Sequence, residues 1–292
     1  MTRVAAIDCG TNSLRLLVSD DGFVDVVRTM EIVRLGEGVD RTGRFSDAAL
    51  QRTFAVLDEY ARVVASLGVE RMRMVATSAT RGAANRDVFL DGVRTRLGID
   101  AEVVSGDEEA ALSYRGATAS LPADGHYTVC DIGGGSTEVI ADDRAVSLDI
   151  GCVRMTERHL HDDPPTAGQI AAATADIDRA LSAAPLVGDG PTLVGLAGSV
   201  TTVAALVLGL DAYDPARIHH SRLSATDVAA RTERLLRATR AERAAMPPMH
   251  PGRVDVIGAG ALILDRVMRA GRFDEVVVSE HDILDGIALS LL

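Results

Sequence analysis

The sequence has 292 residues, of which 47% are hydrophobic and 25% charged, and its formal net charge is −12. This length suits two packed lobes better than one core, and the acidic balance argues against nucleic acid and membrane surfaces as partners. All 30 basic residues are arginine, which excludes the lysine of a P-loop or of a Schiff base.

The beginning of the chain predicts three strands joined by tight turns. Asp8 ends the first strand, and a glycine- and hydroxyl-rich turn follows at residues 9–13. The strands are expected at residues 3–7, 14–19 and 23–27, with a hairpin turn at 20–22. Periodic apolar residues then predict helices, and short apolar runs predict strands, in the order helix 46–68, strand 72–76, a helical stretch ending at Gly98, and strand 101–104.

Ser105 and Glu108 have the spacing of a capping box and predict a helix running toward Ala119. If Glu108 serves the cap, the neighbouring Glu109 is left for another role. Taken alone, both residues read as ordinary acids of a first helical turn.

The pattern of the first strands restarts near residue 127. Asp131 ends a strand at residues 127–130, and a glycine-rich turn follows at 132–136. Subtracting 123 from the residue numbers places Asp131 on Asp8, Gly133 on Gly10 and Ser136 on Ser13. Further strands are expected at 137–141 and 145–150, with a hairpin turn at 142–143. A repeat with so long a period predicts an internal duplication.

The remainder of the chain alternates helices with strands, which predicts an α/β protein. The helices are expected at residues 166–183, 201–208, 224–240 and 253–270, and the strands at 193–196 and 275–278. The mostly apolar helix at 201–208 fits either a dimer contact or the core.

The two glycine-rich turns carry the predicted chemistry. Turns of this kind direct backbone N–H groups and hydroxyls at phosphate, and glycine permits a close approach. The preceding aspartate is able to hold a divalent cation. Strand alternation places Arg15 with Ser13, and Glu138 with Ser136, on the same face of each strand.

At these residues the sequence resembles the exopolyphosphatase and guanosine pentaphosphate phosphohydrolase family along nearly its whole length. Residues 8–15 (DCGTNSLR) and 131–138 (DIGGGSTE) look like the two phosphate motifs of that family. Other blocks agree in order: 34–36, 76–81 with Asn85, 105–110, Gly151 with Arg154, 195–202, Arg253 with Asp255, and 279–280.

The resemblance implies a two-lobed fold of the actin, Hsp70 and sugar-kinase type, which is ribonuclease H-like. The N-terminal lobe is expected to span residues 1–122 and the C-terminal lobe 123–282. Residues 283–292 are expected to pack back on the N-terminal lobe, with the active site in the cleft.

The resemblance also implies the roles of individual residues. Glu109 is expected to act as the general base on water, with Arg15 and Arg81 as further catalytic residues. Asp131, Glu138 and Asp8 are the expected ligands of Mg²⁺ or another divalent cation. The expected phosphate-binding residues are Gly10, Thr11, Asn12, Ser13, Gly133, Gly134, Gly135, Ser136, Thr137 and Arg154.

The expected substrate is inorganic polyphosphate, with guanosine pentaphosphate as the competing substrate. Long family members carry a further C-terminal region of the HD type that this sequence lacks, so short or medium chains are favoured. The resemblance suggests a homodimer. The start of the chain has no basic leader and no long apolar stretch is visible, which predicts a cytoplasmic protein.

Two other functions remain open at this point. A kinase or ATPase of the same superfold would use the same phosphate turns, because a fold does not determine a function. A non-catalytic sensor of phosphate or an alarmone would bind without hydrolysis. The scattered cysteines, Cys9, Cys130 and Cys152, favour buried thiols over a zinc site or disulfides.

Overall fold

The computed structural model describes residues 2–21, 24–141, 144–184 and 192–292. The chain divides into two compact units. The first unit comprises Met1–Gly116 with Asp282–Leu292, and the second comprises Ala117–His281. Parts of the two expected hairpin turns, residues 22 and 142–143, and the start of the expected third strand at residue 23, lie outside the described residues.

The first unit contains a mixed sheet with the strand order β3-β2-β1-β4-β5. Strands β1 to β3 form an antiparallel meander, while β4 is parallel to β1 and β5 is parallel to β4. The strands are β1 (Arg3–Cys9), β2 (Ser13–Asp20), β3 (Val24–Ile32), β4 (Arg71–Ala76) and β5 (Ala101–Val103).

Strand alternation gives this sheet two apolar faces. Ala5 and Ile7 belong to one buried cluster, and Val4 and Ala6 to another. The last helix of the chain supplies Ile283, Leu284 and Ile287 to the second cluster. The helices of this part of the chain are α1 (Val39–Thr42), α2 (Asp47–Ser66), α3 (Ser78–Gly82), α4 (Arg86–Leu97), α5 (Gly106–Thr118) and, at the end of the chain, α13 (Ile283–Ser290).

The second unit repeats the strand pattern of the first. Its strands are β6 (Tyr127–Ile132), β7 (Thr137–Ala141), β8 (Arg144–Leu148), β9 (Thr192–Leu196), β10 (Arg222–Ser224) and β11 (Glu275–Val278). The order β8-β7-β6-β9-β11 matches β3-β2-β1-β4-β5, with β10 added at the far edge. The meander is again antiparallel, and the next two strands are again parallel. The predicted α/β fold with an internal duplication is therefore confirmed.

Helices cover the sheet of the second unit. They are α6 (Cys152–His159), α7 (Ala167–Leu181), α8 (Ala197–Val207), α9 (Pro215–Ile218), α10 (Ala225–Arg237), α11 (Arg240–Ala244) and α12 (Ile257–Gly271), with a short 3-10 helix at Pro251–Arg253. Val200, Val203 and Ala204 of α8 are fully buried in the core. This helix therefore belongs to the core rather than to an exposed apolar surface.

Several boundaries differ from the sequence expectation. β1 continues through Asp8 and Cys9, because both residues pair with β2 across the hairpin. Helix α8 begins four residues early, at Ala197, whose φ of 67° turns the chain directly from strand to helix. Across the part of the chain that the structure describes, none of the helices has the length and apolar character needed to cross a membrane.

Candidate functional site

The glycine-rich turns close in the same way in both units. In the first glycine turn, residues 10–13, the N–H of Gly10 donates to the carbonyl of Ser13 at 3.0 Å. In the second glycine turn, residues 133–136, the N–H of Gly133 donates to the carbonyl of Ser136, also at 3.0 Å. The duplication predicted from an offset of 123 residues thus extends to an individual hydrogen bond.

The carbonyls of the first glycine turn are held by the segment that follows β3. The N–H of Gly36 donates to the carbonyl of Thr11 at 2.8 Å. The N–H groups of Val33 and Arg34 both donate to the carbonyl of Asn12, at 3.1 and 2.9 Å. The expected phosphate residues Thr11 and Asn12 are therefore fixed through their backbones.

Asp8 and Arg15 face each other across the β1–β2 strand pair. The guanidinium donates to Asp8 Oδ2 from Nε at 2.9 Å and from Nη2 at 2.7 Å, while Nη1 binds Asp282. Burial raises the pKa of the Asp8 carboxyl, because its desolvation outweighs the attraction of Arg15. Two predicted site residues are thus in contact, and Arg15 also binds the C-terminal segment of the same unit through Asp282.

Asp282 is a residue that the sequence reasoning missed. Besides binding Arg15, its carboxylate accepts a hydrogen bond from the N–H of Leu284 at 2.9 Å and caps α13. The Asp285 carboxylate in turn accepts a hydrogen bond from the N–H of Asp282 at 2.9 Å. The capping-box spacing of two aspartates before an apolar run was the available signal.

Glu109 and Arg81 form a second contact between predicted site residues. Glu109 lies in the first turn of α5 and is only 8% exposed. Arg81, in α3, donates from Nη1 to Glu109 Oε2 at 2.6 Å and to the carbonyl of Val104 at 3.0 Å. A buried carboxylate is thereby held in one orientation by a charged partner.

The neighbouring Glu108 has a different environment. Its N–H donates to Ser105 Oγ at 3.2 Å, which is the hydrogen bond that the Ser105 side chain makes in a capping box. Its carboxylate binds Arg73 at 2.8 Å, and its side chain is 47% exposed. Glu108 and Glu109 are therefore adjacent in sequence but differ in partner and burial.

Asp131 and Glu138 face each other across the β6–β7 strand pair. They are 6% and 1% exposed, respectively. Ser147, on β8, donates its hydroxyl to Glu138 Oε1 at 2.6 Å. The second unit thus places two buried carboxylates at the strand positions that Asp8 and Arg15 occupy in the first.

The donor set at Asp131 and Glu138 fits Mg²⁺. This ion is commonly held by one or two carboxylates, with waters and substrate phosphates as its remaining ligands. In the described ranges no group of three or more His, Cys, Asp and Glu residues is arranged to hold a metal, so a cage built from protein alone is not formed. Asp8 fits less well, because Arg15 already supplies its positive charge.

Two other predicted phosphate residues bind the backbone near the second glycine turn. Arg154 donates from Nε to the carbonyl of Gly135 at 2.6 Å and pairs with Asp149 at 3.4 Å. The Thr137 hydroxyl is fully buried and donates to the carbonyl of Ile150. Both side chains therefore contribute to the shape of the turn.

The cysteines and histidines take no part in a metal cluster among the described residues. Cys9, Cys130 and Cys152 are buried and free, as predicted, and burial raises the pKa of each thiol. The rings of His219 and His220 stack with centroids 3.7 Å apart.

Fold and site together define a duplicated α/β protein in which two matched glycine-rich turns each follow a strand that carries a buried aspartate. The chain belongs to the Ppx/GppA phosphatase family, whose model matches residues 17–292. It is 49% identical to exopolyphosphatase 2 of Mycobacterium tuberculosis, over 100% of this chain and 99% of the relative. It is 31% identical to the guanosine-5'-triphosphate,3'-diphosphate pyrophosphatase of Vibrio atlanticus, over 99% of this chain and 59% of the relative.

Solved structures agree with this membership. An exopolyphosphatase-like protein, 43% identical, superposes with a TM-score of 0.95 over 99% of this chain and 98% of the other. The Aquifex aeolicus member of the Ppx/GppA family, 31% identical, gives a TM-score of 0.84 over 99% and 97% of the two chains.

Proposed function

We propose that the protein is an exopolyphosphatase, which hydrolyses the terminal phosphate of inorganic polyphosphate. The main support for this activity is the 49% identity to exopolyphosphatase 2 of M. tuberculosis across the whole chain. The presence of Glu109, Asp131 and Glu138 favours hydrolysis over a sensor that only binds its ligand.

Glu109 is the proposed general base. It accepts a proton from the water that attacks the terminal phosphorus, as a carboxylate near neutral pH is able to do. Its contact with Arg81 at 2.6 Å restricts the carboxylate to one orientation. Burial to 8% exposure limits competition from bulk water for its oxygens.

Arg15 and Arg81 are the proposed cations for the transferring phosphoryl group. Guanidinium groups match the geometry of phosphate oxygens and remain charged at every physiological pH. Arg15 is held from two sides by Asp8 and Asp282, so its position is set before substrate arrives. A fixed cation stabilises developing charge without having to reorganise.

The two glycine turns are the proposed phosphate-binding elements, each contributed by its own unit. Asp131 and Glu138 are the proposed carboxylates for Mg²⁺, with Ser147 orienting Glu138. When bound there, Mg²⁺ supplies positive charge against the oxygens of the phosphate chain. The products are orthophosphate and a chain shorter by one unit.

Guanosine pentaphosphate is the second candidate substrate. The support for it is the 31% identity to the Vibrio atlanticus pyrophosphatase over 99% of this chain. Its terminal phosphoanhydride presents the same reacting group as polyphosphate, so the proposed residues would serve either substrate.

The test is orthophosphate release by the purified chain with Mg²⁺ and a panel of substrates. The panel contains polyphosphates of short, medium and long defined length, guanosine pentaphosphate, and ATP with and without a sugar. We expect release from polyphosphate, with short and medium chains preferred. Turnover of guanosine pentaphosphate alone would select the second candidate.

Two further results would overturn both candidates. ATP turnover that requires a sugar would identify a kinase of the same superfold. Tight binding of guanosine pentaphosphate without turnover of any substrate would identify a sensor. The Glu109→Gln variant separates enzymatic release from a contaminating phosphatase, because contamination survives that substitution.

A further inference from the structure

The start of α6 binds three consecutive carbonyls of the second glycine turn. The N–H of Cys152 donates to the carbonyl of Gly133 at 2.9 Å, and the Nε of Arg154 donates to that of Gly135 at 2.6 Å. Between them, the carbonyl of Gly134 accepts from the N–H groups of Val153 and Arg154, at 2.9 and 3.1 Å. The first N–H groups of a helix usually lack partners, and here this turn provides them.

These contacts determine where the N–H groups of the turn point. In a planar trans peptide, the C=O of one residue and the N–H of the next point in opposite directions. Because the carbonyls of residues 133–135 face α6, the N–H groups of Gly134, Gly135 and Ser136 face away from it. Among the residues that the structure describes, none of these three N–H groups donates to a protein acceptor, and successive N–H groups of this kind form a site for an anion.

The N–H of Gly133 differs from the other three. It donates to the carbonyl of Ser136 and closes the turn. Gly133 therefore contributes to the shape of the turn, and the three following N–H groups are the ones directed to one side.

Gly151 makes the contact with α6 sterically possible. A Cβ at this position would lie 2.3 Å from the carbonyl oxygen of Gly134 and 2.5 Å from the nitrogen of Gly135. Both atoms belong to the backbone, so the turn itself would have to move. The φ of Gly151 is −126°, so close approach, rather than backbone conformation, is what requires glycine here.

The first unit repeats this arrangement with different residues. There the segment after β3 holds the carbonyls of Thr11 and Asn12 through the N–H groups of Val33, Arg34 and Gly36. In both units, therefore, the chain that follows the third strand of the meander binds the carbonyl side of the glycine turn. Because both units hold the carbonyls of their glycine turn in this way with different residues, the contacts are expected to fix the conformation of the turns.

We propose that Gly151 and Arg154 are positioning residues, which hold the second glycine turn with the N–H groups of Gly134, Gly135 and Ser136 directed at substrate phosphate. This rests on the proposed function. In this proposal Arg154 acts through the carbonyl of Gly135. This positioning role takes the place of the direct phosphate contact that the sequence predicts.

The direct test is an amide NMR titration of the isotopically labelled full chain with tripolyphosphate, and separately with orthophosphate. We expect the amide resonances of Gly134, Gly135 and Ser136 to shift most within the turn, and that of Gly133 to shift less. Equal shifts of all four, or larger shifts at Cys152 and Val153, would overturn the proposed orientation.

Variants test the positioning role. Gly151→Ala is compared with Gly168→Ala in α7, where the nearest atom to a new Cβ is 4.0 Å away. We expect Gly151→Ala to raise KM about tenfold and to reduce the amide shifts, with a smaller change in kcat, because the turn binds phosphate throughout the reaction. An unchanged KM and unchanged amide shifts would overturn the proposal.

Arg154 supplies a second test that does not depend on how well Gly151→Ala folds. Arg154→Lys keeps the charge but loses Nε, whereas Arg154→Met keeps only the apolar stem. A positioning role predicts similar increases in KM for both variants. A direct phosphate contact predicts that Lys retains much of the wild-type KM, and this result would contradict our assignment.

The outcomes also separate this proposal from the proposed function. If the wild-type chain does not hydrolyse polyphosphate but the three amides shift with orthophosphate, the function fails and the positioning role stands. If the wild-type chain hydrolyses polyphosphate and both the amides and the variants behave like the Gly168→Ala control, the function stands and the positioning role is wrong.

Discussion

Glu138 occupies in the second unit the strand position that Arg15 occupies in the first. Arg15 faces Asp8 on β1, and Glu138 faces Asp131 on β6. One unit therefore carries a carboxylate that is neutralised by an internal cation, while the other carries two facing carboxylates. The second pair therefore suits a divalent cation better than the first, and the two units differ in charge at equivalent strand positions.

Glu138→Gln is expected to weaken the dependence on Mg²⁺. The variant keeps the shape of the side chain and its contact with Ser147 but removes one of two buried negative charges. The Mg²⁺ concentration for half-maximal activity should rise about tenfold or more, since ligand charge tunes the affinity for hard cations. A metal titration of activity, supported by calorimetry with Mg²⁺ alone, measures the effect.

The matched control for this experiment is Asp124→Asn, because Asp124 is an exposed acid of the same unit. It should leave the Mg²⁺ titration unchanged. Equal titrations of Glu138→Gln and the wild type would remove Glu138 from the metal site.

Glu109→Gln is expected to lower kcat by about a hundredfold or more, with a smaller change in KM. The amide keeps a contact with Arg81 but does not accept a proton from water, and general-base catalysis contributes about 10² to 10⁴. Steady-state kinetics on a defined polyphosphate measure both constants.

Glu108→Gln is the natural control, since Glu108 precedes Glu109 in sequence but binds Arg73 at the surface. Its kcat should remain within about twofold of the wild type, because exposed ion pairs contribute little. If both variants lost activity equally, the charge of the helix start rather than a general base would explain the result.

Asp282 is expected to show two separable roles. Asp282→Asn retains an oxygen that caps α13 but loses the charge that holds Arg15, so KM should rise while stability changes little. Asp282→Ala loses the cap as well and should destabilise the fold by about 1 kcal/mol more. Urea unfolding and steady-state kinetics on both variants distinguish the roles. Equal stability of the two variants would contradict the capping role.

Gly36→Ala is expected to disturb the first glycine turn, and Thr11→Ser is expected to rescue it. A Cβ at residue 36 would lie 2.3 Å from Thr11 Cγ2, so either residue 36 or Thr11 would have to move. Serine lacks that methyl group and keeps the hydroxyl. We expect KM to rise about tenfold in Gly36→Ala and to return most of the way in the double variant. Additive effects of the two substitutions would rule out this contact as the cause.

The duplicated meander could be predicted from the sequence because its signals are local. An aspartate after an apolar run and a glycine-rich turn recur at an offset of 123, and Gly10 and Gly133 make the same hydrogen bond in the structure. Glu109 and Arg81 both lie in blocks that resemble the family's motifs, but their contact, across 28 residues, was not predicted.

The partners of these motifs could not be predicted in the same way. Asp282 binds Arg15 from 267 residues away, and a contact of that separation leaves no periodic pattern in the sequence. Helix α6 has only eight residues, and its first N–H groups find their acceptors outside the helix, in the second glycine turn, so no helical pattern predicts these contacts. Ala197 begins α8 in a left-handed conformation that alanine rarely adopts. A prediction from the sequence pattern therefore starts this helix several residues too late.

Hydrolysis of a defined polyphosphate in ¹⁸O-water tests the central claim most directly. Mass spectrometry of the products after a single turnover gives the position of the label and the length of the remaining chain. Attack of water on the terminal phosphorus predicts one ¹⁸O in each released orthophosphate, none in a chain that is one unit shorter, and release by Glu109→Gln that is slower by about a hundredfold or more. Label in the remaining chain, cleavage within the chain, or transfer of phosphate to an acceptor without label would contradict the account.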